Sequence, residues 1–82
     1  MTDNAPLDAF EAYLDQLGST IRDVSTDTLV LMTDARFPNL VRETARWSRV
    51  REALQFWASD PDPQTALQAR TLLARLEERV QR

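Results

Sequence analysis

The chain has 82 residues, a net charge of −3 and a pI near 4.8, with no Cys, no His and a single Gly, Gly18; all ten basic side chains are Arg. That composition excludes thiolate and imidazole metal sites, disulfides, Cys nucleophiles, Ser–His relays, Schiff-base lysines and glycine-rich phosphate loops. It bounds the molecule to one domain, residues 1–82, with a thin core, since a chain this short buries only roughly 60–65% of its unfolded surface.

In chain order, residues 1–5 are expected to be disordered. The opening Met-Thr-Asp-Asn-Ala-Pro lacks the basic-then-apolar layout of a secretory signal, and a cytoplasmic location is the expectation. Leu7, Phe10, Leu14, Leu17, Ile21 and Val24 then recur at alternating spacings of three and four. This heptad-like seam predicts a helix over 6–24, with Pro6 tolerated in its first turn and Asn4 or Asp3 as a cap. Because the seam stays in phase past Gly18, the helix is expected to run through that residue. Tyr13, at the seam's edge, is expected to keep its hydroxyl in water.

Ser25-Thr26-Asp27-Thr28 is a cluster of capping residues, and it predicts a short helix over 28–36. The longest apolar run, Leu29–Met32, has strand propensity but no partner strand, so it is read as helix. Pro38 and Asn39 punctuate before a third helix over 39–58, whose apolar arc is Leu40, Trp47, Val50, Leu54 and Trp57. Ser59-Asp60-Pro61-Asp62-Pro63 predicts a rigid turn, with Asp62 as cap and Pro63 first in a last helix over 63–81. There Ala66, Ala69, Leu73, Leu76 and Val80 repeat the same step. The fold class is therefore all-α, a small bundle or array of three to four helices, with the seam available for self-association.

Charge is uneven. Residues 1–34 hold seven acids and one Arg, a net of −6, whereas residues 35–82 hold nine Arg and six acids, a net of +3. The halves are suited to pair with each other, within or between chains. On the third helix Arg42, Arg46 and Arg49 fall within about 60° at 100° per residue, a candidate anion-reading stripe without acids of its own. Arg75, Arg79 and Arg82 make a second stripe. Phe56 lies on the Arg side of the third helix, away from the apolar arc, where an aromatic beside Arg suits a protein-binding hot spot.

No catalytic, cofactor or metal site is expected. Asp60 and Asp62 offer too few oxygens for a hard cation and are read as caps. The expected function is a small non-catalytic protein-interaction module (an adaptor, inhibitor, chaperone or regulatory subunit) docking through amphipathic helix faces. Phe56, Arg42, Arg46 and Arg49 are its candidate contacts, and its partner is another protein or a second copy, with no membrane and no small-molecule substrate. The alternative is nucleic-acid binding through the same three Arg residues, which the acidic domain charge disfavours.

Overall fold

The computed structural model describes residues 5–80 of the chain, with side chains from residue 9 onward. Of residues 1–5, expected to be disordered, 1–4 lie outside what is described, as do the Leu7 side chain and Arg82, whereas Ala5 already opens the first helix. Among the described residues four α-helices succeed one another, α1 Ala5–Thr20, α2 Thr26–Arg36, α3 Thr44–Ala58 and α4 Pro63–Val80, and a 3-10 turn, Leu40–Arg42, precedes α3. No strand occurs among the described residues. The directions alternate. Glu11 meets Arg49 near the starts of α1 and α3, and Gly18 meets Trp57 near their ends, so these two helices run in parallel. Thr26 bonds Gln68 and Asp34 meets Arg79, so α2 and α4 run in parallel, opposite to the first pair. No helix among the described residues is long and apolar enough to cross a membrane.

The seam is spent inside the molecule. Phe10, Leu14, Leu17 and Ile21 are buried, and Val24 packs against the same core. Among the described residues the α1 seam is thus satisfied within the bundle, the first of the two uses open to it. The helix passes through Gly18 as expected but stops at Thr20, four residues short of the predicted end. The Thr20 carbonyl accepts from both Asp23 N–H (2.9 Å) and Val24 N–H (3.1 Å), closing a tight turn that still buries Ile21. Side chains of α4 satisfy carbonyls of this turn: Gln64 Nε2 donates to Arg22 O (2.8 Å) and Gln68 Nε2 to Val24 O (2.6 Å). Buried or bent backbone needs such partners, and here they come from residues 42 and 44 positions away.

Helix α2 starts as its capping cluster implies, with Ser25 Oγ accepting from Thr28 N–H at 3.3 Å, although its first residue is Thr26. It ends at Arg36 because Phe37 precedes Pro38, and a residue before proline is pushed out of the helical region. The predicted helix over 39–58 splits. A 3-10 turn carries residues 40–42, and Glu43 takes extended geometry before α3 begins. One unbroken helix would point Leu40 and Val41 about 100° apart, with Val41 facing away from the Trp47 arc. The break lets both pack on the core. Helix α4 starts at Pro63 as expected, with Asp62 Oδ2 accepting from Thr65 N–H (3.0 Å) and Thr65 Oγ1 (2.7 Å). Those two bonds hold the Asp62 carboxyl below its ordinary pKa. On α4 Leu72 is buried, Leu73 is only partly so, and Val80 is exposed, because the last turn outruns the core.

Tyr13 contradicts its expected boundary position. It is 1% exposed, and its hydroxyl bonds Thr33 Oγ1, which itself donates to Leu29 O at 2.9 Å. With the Thr33 proton committed, Tyr13 is the donor of the pair. Burial pushes the phenol above its ordinary value of 10.0.

This packing can be tested at two points. A methyl group at Gly18 would lie 2.7 Å from Trp57 Cζ2, so the Gly18→Ala chain should lose stability in urea melts. In a Trp57→Ala background the same change should instead gain up to about 1 kcal/mol from helix propensity. The second point is the buried hydroxyl pair. Thr33→Val strands a buried donor and should cost about 1–3 kcal/mol, more than Tyr13→Phe at about 0.5–1.5 kcal/mol. A phenol whose folded pKa is raised keeps its proton longer when folded. Its stabilisation is thus complete below the unfolded value and falls as pH rises past it. Thermal melts above pH 10 should fall more steeply for the native chain than for Tyr13→Phe.

Candidate functional site

The four candidate contacts do not form the surface that helical spacing implies. Arg42 sits on the 3-10 turn, and the break at Glu43 removes it from the register of Arg46 and Arg49. Arg46 is half-buried. Its guanidinium lies 5.7 Å from the Phe10 ring centre and 5.5 Å from that of Phe37, and its Nη1 donates to Glu43 Oε2 at 2.8 Å. The stripe therefore does have an acid at helical spacing, three residues before Arg46. Arg49 Nη2 donates to Glu11 Oε1 at 2.6 Å, tying α3 to α1. Arg42 alone of the three has no carboxylate partner among the described residues.

The second Arg stripe is also used within the chain. Arg75 pairs with Asp27 at 2.9 Å, and Arg79 pairs with Asp34. Three acids of the first half thus hold three Arg of the second. The charge split expected from sequence is spent on holding α1 to α3 and α2 to α4. Exposed pairs of this kind contribute little stability, typically about 0–1 kcal/mol each, but they do select helix order and direction.

Phe56 behaves differently. It is 75% exposed, the most exposed of the large apolar side chains described, and projects from the side of α3 opposite Trp47, Val50 and Leu54. Sequence reasoning placed Arg49 with it but missed Ala45 and Glu52. At 100° per residue Ala45, Arg49, Glu52 and Phe56 share one outward arc of about 60°, and all four are exposed. Their spacing of four, three and four was the signal available. Beside Ala45 lies an open hollow of about 150 Å³ between α1 and α3, lined by Phe10, Glu11, Ala45, Arg46 and Arg49. Phe10, itself only 2% exposed, forms its floor.

The turn acids are occupied with backbone. Asp60 Oδ1 accepts from Asp62 N–H at 2.9 Å, and Asp62 caps α4. Chemically, the α3 face offers one large apolar knob, a shallow apolar-floored hollow, and charges of both signs. That is the chemistry of a contact surface. Compared with family models, with curated proteins and with solved structures, the chain matches none.

The stacked position of Arg46 makes it a packing residue. Arg46→Ala should cost about 1–2 kcal/mol in chemical denaturation, through lost stacking and lost cover over Phe10 and Phe37. Arg42→Ala, exposed and without a described partner, should stay within about 0.5 kcal/mol of the native chain.

Proposed function

We propose that this protein is a small, non-catalytic protein-interaction module, of cytoplasmic location, that docks through the outward face of α3. The observation that carries the reading is Phe56, a large aromatic held 75% exposed on a rigid helix. Keeping such a side chain in water forgoes burial worth about 1.5–3 kcal/mol. Aromatic side chains set among neighbours that exclude water are frequent anchors of protein interfaces. Arg49 and Glu52 flank it on the same arc and supply direction. The cysteine-free composition suits a reducing compartment. The nucleic-acid reading is the weaker one, since Arg46 and Arg49 already hold Glu43 and Glu11.

Affinity capture with tagged native chain and tagged Phe56→Ala, with and without nuclease, tests this. The native chain should retain a protein that survives nuclease, and Phe56→Ala should lose it while its melting curve stays within about 0.5 kcal/mol of native. Equal retention by both chains overturns the proposal. Capture that vanishes with nuclease, and with Arg42→Ala/Arg49→Ala, would establish the nucleic-acid reading instead.

A further inference from the structure

Docking through α3 requires an occupant, and the face itself narrows the choice. Ala45, Arg49, Glu52 and Phe56 are spaced four, three and four apart, an order that reads the same from either end. We infer that this face is self-complementary and that its occupant is a second copy of the chain, laid antiparallel across it about a twofold axis between Val50 and Arg51; the inference rests on the α3 docking reading.

Under that symmetry Ala45 lies opposite Phe56 of the second copy, and Arg49 lies opposite its Glu52. Both contacts recur on the other side of the axis, as a closed twofold interface requires. Each has what it needs on this chain. Ala45 borders the hollow of about 150 Å³ floored by Phe10. The hollow is open and mainly apolar in its lining, so the Phe56 ring of the second copy has a surface to lie against. Arg46 and Arg49 line the same hollow, so their side chains flank an incoming ring. Glu52 is exposed and has no cation partner among the described residues. Arg49 gives Nη2 to Glu11 and keeps other N–H donors for a second carboxylate. The pairing thus adds two Arg–Glu contacts without breaking the one already made. A parallel pairing of two α3 helices would place Arg49 against Arg49 and Glu52 against Glu52, which sets the direction.

Sedimentation equilibrium on the full chain, across roughly 1 µM to 1 mM, reads the result directly. The native chain should show a reversible monomer–dimer equilibrium. Glu52→Arg and Arg49→Glu each oppose like charges and should weaken self-association roughly tenfold or more. An equimolar mixture of the two variants should recover it, because every opposing pair is then Arg against Glu. Phe56→Ala should abolish the dimer, and thermal melts at low concentration confirm that each variant is folded. A native chain that stays monomeric throughout overturns the proposal, as does a dimer indifferent to Phe56→Ala or a mixture no tighter than its components. If the dimer is absent while Phe56→Ala still loses a nuclease-resistant protein, the docking reading survives with a different occupant. If Phe56→Ala changes neither assay, both readings fall.

Discussion

The structure depends on how one ring, Phe37, leaves its helix. Pro38 forces Phe37 out of helical geometry, and the ring lands edge-on against both Phe10 and Tyr13 of α1, with centroids 5.2 Å away in each case. Edge-to-face pairs of this kind add about 0.5–1.5 kcal/mol beyond the area they bury. The knot fixes the start of α1 against the end of α2. It also sets the path of the chain beyond Pro38, which turns at once into the 3-10 segment. Arg46, arriving at the first turns of α3, finds the Phe10 and Phe37 rings to cover. The hollow beside Ala45 is the space left between that covered knot and the Glu11–Arg49 pair.

What was legible in the sequence was local. The seam of α1, the capping of α2 by Ser25 and the Asp62-Pro63 start of α4 each rest on neighbours within one helical turn, and each appears where its residues imply. What was not legible depended on distant partners. The apolar period runs on through Ile21 and Val24 whether or not the helix does, because a turn sealed by Gln64 and Gln68 buries Ile21 equally well. Tyr13 looks amphipathic until Thr33, twenty residues away, offers an acceptor inside the core. Arg46 looks like one member of a basic stripe until two rings from other elements claim it.

The same division governs the candidate site. Phe56 could be singled out because it falls off the apolar arc of its own helix, a purely local property. The fate of the Arg residues could not, since it depends on which acids of the first half arrive beside them. Three of the seven acids of the −6 half hold three of the nine Arg of the +3 half within the monomer.

Intramolecular pairing separates Leu31 from Phe56. Leu31 is 67% exposed on α2 and shares an arc with Asp27 and Asp34. Both carboxylates already hold Arg75 and Arg79, so this arc has little charge left with which to orient a partner. Exposure of a single leucine there is ordinary for a small domain. On α3 the position is reversed. Phe56 shares its arc with Glu52, which has no described cation partner, and with Arg49, which has donors to spare. Apolar area alone attracts without direction, whereas a carboxylate without an intramolecular partner, such as Glu52, can supply both attraction and register. Beside Phe56 the intramolecular pairing leaves Glu52 without a described partner, and that distinguishes this arc from the arc of Leu31.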